Sequence, residues 1–400
     1  MSTEPTDHDL LDDADSTFGS AWSSGATSGK ETVIAVDAMG GDRGPSAVVG
    51  GVIRAAKANP DVRFLLFGNQ DELTQLVARP GLKGGLKGSL KDRAWRDRVE
   101  IRHASGVITM ETKPSHAMRH GKDSSMWAAI DAVKSGEASA CVSCGNTGAL
   151  MALSMVRLRK LPGVRRPALA CLWPSRNPVG FNVILDVGAD ISADAQDLYQ
   201  FALMGSAYAR NGLGLEIPRV GVLNVGTEEH KGRAEVREAV EKIQAGAQMG
   251  KYESVGFVEG RDLSSRRADV IVTDGFTGNI ALKTGEGTAS LISDFLKESF
   301  KASFLSRIAA VLAMTSLRRL ARRIDPRRVN GGVFLGLNGT VVKSHGGADA
   351  TGVAAAIDLA IRLDRSGYQG RLAARMALTS GGDDITATSD KESAGGQAAP

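Results

Sequence analysis

Two short strings concentrate the polar residues best suited to holding an anion: Gly145-Asn146-Thr147-Gly148 and Thr273-Asp274-Gly275-Phe276-Thr277-Gly278-Asn279. Each follows an apolar run and precedes a helical pattern, so small residues should sit at a helix N-terminus. There the backbone N–H groups lack helical partners and the helix dipole is positive, which suits phosphate. Asn146, Thr147, Thr277 and Asn279 add side-chain donors, and Gly145, Gly148 and Gly278 allow close approach. The plainer alternative is that these residues only cap helices and close turns, where Asn, Thr and Gly are ordinary. His345 differs from the other histidines: it follows Lys343 and Ser344 at a strand end and leads into Gly346-Gly347. Near neutral pH an imidazole placed there can move a proton or cap a helix.

Several other chemistries are disfavoured. No G-x-G-x-x-G follows the first strand, no G-x-S-x-G elbow occurs, and no H-E-x-x-H occurs. Gly25-Ala26-Thr27-Ser28-Gly29-Lys30 imitates a phosphate loop, but it is one residue short and Glu31 stands where Ser or Thr is needed. Cys141 and Cys144 have C-x-x-C spacing, yet in a strand they would face opposite sides. With only Cys171 besides, a zinc site is short of ligands, and no metal or other cofactor is expected. Three cysteines in 400 residues argue for a reducing compartment, and no apolar run reaches the ~18 residues of a membrane span. The chain reads as cytoplasmic.

The elements that must position these groups recur as strand, glycine turn, helix. Apolar runs at Thr32–Asp37, Arg63–Phe67, Ala140–Ser143, Asn182–Leu185, Arg219–Leu223, Ala268–Val272, Gly332–Leu335 and Thr340–Lys343 read as buried strands. Helices are expected over Ser46–Lys57, Ala149–Leu158 and Ala348–Ser366, and from Ile280 onward. This alternation predicts an α/β fold with a mostly parallel sheet covered on both faces. Ligands of such sheets sit beyond the carboxyl ends of the strands, so the turns are expected to meet at one rim. Residues 1–31 and 381–400 are acidic and read as disordered tails around a body at 32–380, with a basic loop inserted at 79–98.

Charge is unevenly placed. The net charge is +4, yet Phe300–Arg328 alone carries eight bases against Asp325. Phe300, Phe304, Ile308, Val311 and Leu312 form one apolar stripe; Leu317, Leu320 and Ile324 form a second that would fall on another side of a continuous helix. A break near Thr315-Ser316 and two amphipathic helices are predicted, with Phe304, Ile308, Val311, Leu312, Arg318 and Arg319 as a peripheral hold on anionic lipid. A dimer or core helix pair with a solvated basic face is the alternative.

The strings "IAVDAMGGD" at Ile34–Asp42, "VSCGNTGALM" at Val142–Met151, "ILDVGA" at Ile184–Ala189, "LNVGTEEHKG" at Leu223–Gly232, "FVEGRDL" at Phe257–Leu263, "DVIVTDGFTGN" at Asp269–Asn279 and "GLNGTVVKSHGG" at Gly336–Gly347 occur in order. Together they resemble the bacterial phosphate acyltransferase family, PlsX-type, over about residues 32–365. The resemblance implies a three-layer αβα fold similar to phosphotransacetylases and the isocitrate-dehydrogenase-like group. It implies a homodimer that converts acyl-[acyl carrier protein] and inorganic phosphate to acyl phosphate and free carrier. It also places a glycerol-3-phosphate acyltransferase downstream, in phospholipid synthesis at the membrane. For that chemistry Asp274 and His345 are candidate orienting or deprotonating groups, with Asn279 and the cations Lys343 and Lys283 beside them. Lys231 is the candidate contact for the acidic carrier or its prosthetic phosphate. Asp190 departs from the family pattern, where Asn is common, and is expected to alter anion affinity locally. A coenzyme A-dependent phosphotransacetylase-like enzyme and a non-enzymatic scaffold binding membrane and carrier are the other readings. Nucleic acid is disfavoured, since no aromatic platform lies among the bases.

Overall fold

A computed structural model of the chain describes residues 31–78, 94–317 and 331–377. The expected acidic tails, most of the basic insertion and Arg318–Arg328 lie outside the described residues. Among the described residues eleven strands form one sheet: β1 Val33–Asp37, β2 Arg63–Gly68, β3 Val99–His103, β4 Ala140–Ser143, β5 Ala168–Pro174, β6 Phe181–Leu185, β7 Arg219–Leu223, β8 Glu253–Val258, β9 Val270–Val272, β10 Gly332–Leu335 and β11 Thr340–Lys343. Their order is β3-β2-β1-β4-β11-β10-β5-β6-β9-β7-β8.

Alternate strand residues feed two cores, one on each face. Ile34 and Val36 belong to the first, with α1 Pro45–Ala58 and α3 Ala195–Leu213 packed over it; Val33 and Ala35 belong to the second, with α2 Thr147–Arg157. The long helix α4 Gly275–Lys301 also lies on the second face, where Ala281 and Leu282 pack. The sheet is thus sandwiched between helices, the arrangement that continuously apolar strands require. Cys141 enters the second core and Cys144 the first, on opposite faces as the strand period dictates.

One expectation fails on topology. β10 is antiparallel to both β11 and β5, and β5 is antiparallel to β6. Three reversals leave β6, β9, β7 and β8 running opposite to β3, β2, β1, β4 and β11. The turns after β1, β4 and β11 therefore open at one rim, and those after β6, β7 and β9 open at the other. They do not converge on a single rim.

The described part of the basic segment breaks twice. α4 continues through Lys301, Ser303 caps α5 Phe304–Leu312 by accepting from the Ser306 N–H at 3.1 Å, and Ala313 closes it. Thr315 and Ser316 are helical. A serine hydroxyl able to cap sets an additional break at Ser303, while the turn at Ala313 lies two residues before the predicted position. The helix α6 Ala350–Arg365 is capped by Asp349 and packed on α1.

Candidate functional site

A cavity of about 420 Å³ lies on the second face over β5, one of the two strands between the parallel blocks. Leu169, Cys171 and Trp173 floor it, since odd-numbered β5 residues point to that face. Thr147 at the start of α2 forms one wall; Asn279, Leu282, Lys283, Glu286 and Ala289 of α4 form the other. Val187-Gly188 closes one end and Lys343-Ser344-His345 the other. The two opposed rims are joined by α4, which starts after β9 and runs back over the face. Eight residues on from Gly275, roughly 12 Å along the axis, the Lys283 Nζ lies 3.3 Å from His345 Nε2. A Cβ at Gly285 would overlap the Trp173 ring, so the glycine lets α4 lie against the floor.

The cationic end is built as follows. Lys343 is buried; its Nζ donates to the Ser344 carbonyl and to the Cys144 carbonyl at 3.4 Å. Burial pulls its pKa down from 10.5 to about 8, with Lys283 acting in the same direction. His345 Nδ1 accepts the Gly347 N–H at 3.1 Å, so a neutral ring carries its proton on Nε2, toward Lys283. Burial and then Lys283 lower the His345 pKa, which favours that neutral ring. Lys283 also donates to Glu286 at 2.8 Å. Cys171 is unsuited to act as a thiolate, because burial pushes its thiol up to about 12.

The glycine turns themselves are largely occupied. Asn146 is the N-cap of α2: its Oδ1 accepts the Ala149 N–H, and its Nδ2 donates to the Met110 and Thr112 carbonyls at 2.6 and 3.1 Å. The Gly145 N–H goes to Ser143 Oγ, and Gly148 packs against Pro114. Thr147 lines the cavity, with its amide and that of Gly148 at the first two helix positions, where no helical acceptor exists. The second string is not a turn before Ile280 but the first turn of α4, capped by Asp274. Asp274 Oδ1 accepts the Thr277 N–H, its Oδ2 accepts the Thr277 hydroxyl, and its carbonyl accepts the Gly278 N–H. A Cβ at Gly278 would strike the Asp186 carbonyl, so that glycine serves helix–loop packing. Asp274 is buried and paired with Arg233; burial raises its pKa, but the Thr277 and Arg233 hydrogen bonds more than offset this and hold it low.

Of the residues singled out from sequence, Thr147, Asn279, Lys283, Lys343 and His345 meet in the cavity. Gly145, Asn146, Gly148, Asp274, Thr277 and Gly278 stand behind it as supports rather than lining it. Lys231 does not line it either, and its Nζ is taken by Glu228 at 2.6 Å. Asp190 pairs with Arg166, away from the cavity. The apolar floor was missed, although its alternation along β5 is visible in Leu169, Cys171 and Trp173. Two buried carboxylates also emerge. Asp37 accepts from Ser125 and Ser143 hydroxyls at 2.6 and 2.7 Å, and Ser143 in turn receives the Gly145 N–H. Asp186 accepts the Leu169, Gly188, Ala189 and Asp190 N–H groups and so shapes the Val187-Gly188 end. Among the described residues, no group of three or more His, Cys, Asp or Glu is placed to hold a metal.

Phe304, Ile308, Val311 and Leu312 are all exposed on α5, Leu312 at 82%. α4 is exposed too: Gly275 and Gly278 are its only buried residues, and Phe276, Ile280, Leu291, Ile292 and Phe295 face outward. No described helix is long and apolar enough to cross a membrane.

Comparison with known proteins adds three findings. The family described as fatty acid synthesis protein matches residues 32–371. The chain is 66% identical over 352 residues to a phosphate acyltransferase of Cereibacter sphaeroides, covering 88% of this chain and 92% of that protein. It is 65% identical over 349 residues to one of Paracoccus denitrificans, covering 87% and 91%. Among solved structures, a phosphotransacetylase from Streptococcus pyogenes shares the fold at a TM-score of 0.51 and 17% identity, over 90% of this chain and 99% of that one.

Proposed function

The chain belongs to the fatty acid synthesis protein family and is a phosphate acyltransferase, and from that premise we propose how its cavity works on acyl-[acyl carrier protein] and inorganic phosphate. The observation that carries the reading is an apolar trough ending at three polar groups, Lys283, Lys343 and His345. A fatty chain would lie along Leu169, Trp173, Val187, Leu282 and Ala289, where burial stabilises it by roughly 0.8 kcal/mol per CH₂. Its thioester carbonyl would then reach the cationic end.

Phosphate is held there by Lys283 and Lys343, with the Thr147 hydroxyl and the Asn279 amide as neutral donors. A phosphate oxygen attacks the thioester carbon, the new C–O bond forms, and the C–S bond breaks. The proton of hydrogen phosphate ends on the departing sulfur, while the Nε2–H of neutral His345 is placed to donate to a phosphate oxygen and orient it. A thiolate leaves readily, so positioning supplies most of the help. The Thr147 amide at the start of α2 is the donor for the transient oxyanion. Asp274, Asp37 and Asp186 act behind these groups by fixing backbone.

The exposed apolar residues of α4 support a homodimer through that helix, and those of α5 support a peripheral hold on a membrane surface from the cytoplasmic side. A downstream glycerol-3-phosphate acyltransferase would consume the product there. The test of the reaction mixes purified protein, acyl-carrier thioester and labelled phosphate. Acyl phosphate and free carrier thiol should appear in equal amounts; neither forming ends the reading.

A further inference from the structure

We propose that two tied loops, residues 175–180 and 264–267, dock the acidic carrier protein at the edge of the trough; this rests on the reading of a carrier-borne thioester as substrate. Trp173 and Ser264 both line the cavity, and the Trp173 Nε1–H donates to Ser264 Oγ at 2.8 Å. From that anchor the loops are stitched together. The Arg176 N–H donates to the Ser264 carbonyl at 3.1 Å, and Arg266 Nε donates to the Arg176 carbonyl at 2.7 Å. Beneath them buried Asn177 donates to the Ala268 carbonyl and accepts from Arg219, whose own charge is met by Asp269.

This frame carries Arg176, Arg266 and Arg267, all exposed, with Arg261 just before it. Arg261 pairs with Glu259 at 2.9 Å and Arg267 faces Asp262 at 3.8 Å. Arg176 and Arg266 meet no carboxylate among the described residues. Two uncompensated guanidinium groups are thus held together beside the trough on a rigid support. An acyl carrier offers acidic side chains and, where its pantetheine arm is attached, a phosphodiester. Guanidinium forks match both geometries, and such charge complementarity raises encounter rates. Lys231, the contact suggested by sequence, has its charge met by Glu228 and lies off the cavity.

The test replaces both arginines, Arg176→Glu with Arg266→Glu, in the full chain. The KM for acyl-carrier thioester should rise about fivefold to tenfold, with kcat and the KM for phosphate unchanged. The same acyl group on N-acetylcysteamine, which lacks protein and phosphodiester, should react at the parent rate. Arg176→Lys with Arg266→Lys, which keeps the charge without the fork, should recover only part of the loss. A direct titration of carrier against parent and variant reads docking without turnover. Unchanged carrier affinity, equal losses on both thioesters, or a variant that loses only its flotation with anionic vesicles would overturn the proposal. Acyl phosphate formation by the unaltered protein is read separately, so failure of the functional reading is not mistaken for failure of docking.

Discussion

Lys343 should lose its proton as pH rises through about 8 in the free enzyme, because its burial opposes the charge. The drop from 10.5 means that the empty fold favours the neutral amine by about 3 kcal/mol, at 1.36 kcal/mol per unit. Bound phosphate reverses this. At roughly 4 Å and an effective dielectric near 20, each phosphate charge contributes about 4 kcal/mol toward keeping the ammonium. That is enough to return the group toward its ordinary pKa. Initial rates with saturating thioester and varied phosphate separate the two states. The value of kcat/KM for phosphate, which reports the free enzyme, should fall through about pH 8, while kcat, which reports the complex, should hold level to about pH 10. The second ionisation of phosphate gives only an ascending limb, so the descending one isolates the lysine. Lys343→Arg stays charged throughout and should abolish that limb. Lys343→Met should flatten it and lower kcat/KM for phosphate roughly 30-fold or more. The reasoning is refuted if the limb survives in Lys343→Met, or if kcat and kcat/KM bend at the same pH.

Four further outcomes follow from the same contacts. Because the folded pKa of Lys343 lies below the unfolded one, its charge costs stability below about pH 8 and the cost fades toward pH 10.5. Urea unfolding should therefore find Lys343→Met more stable than the parent at neutral pH, with the gap closing at alkaline pH; a constant gap contradicts this. Asp274→Asn keeps a helix cap and should retain activity within about threefold, whereas Asp274→Ala should lower stability by about 1–2 kcal/mol. An inactive Asp274→Asn of parental stability would instead make Asp274 a reacting group. Ala289→Phe should narrow the trough, lowering kcat/KM for long acyl chains about tenfold more than for short ones; an even loss across chain lengths would remove Ala289 from the acyl path. Leu312→Glu and Ile308→Glu should each weaken flotation with anionic liposomes while leaving turnover of soluble thioester intact, and unchanged flotation would dismiss α5 as the membrane contact.

Most strands were legible because a buried strand is a short apolar run bounded by turn residues; β4, β7, β10 and β11 fall on such runs. Helix starts were read less well. Gly275–Asn279 looked like a loop because glycine disfavours helices, yet the Asp274 cap and close packing on Asp186 and Asp190 hold it helical. The break at Ser303 was overlooked in favour of an arginine pattern that says nothing about capping.

Residue types and their local positions pointed to Thr147, Asn279, Lys283, Lys343 and His345 as candidates to meet an anion without a nucleotide fold, but equally to Gly145, Asn146, Gly148, Asp274, Thr277 and Gly278, which the structure sets behind the cavity. Strand direction was beyond the sequence, because an apolar run reads alike both ways along the sheet. Only the three reversals around β10, β5 and β6 decided that the turns split between two rims and that α4 crosses the face to bring Lys283 to His345. Burial likewise belongs to tertiary structure: the sequence supplied a lysine at 343, and packing on both faces of the sheet set its proton affinity.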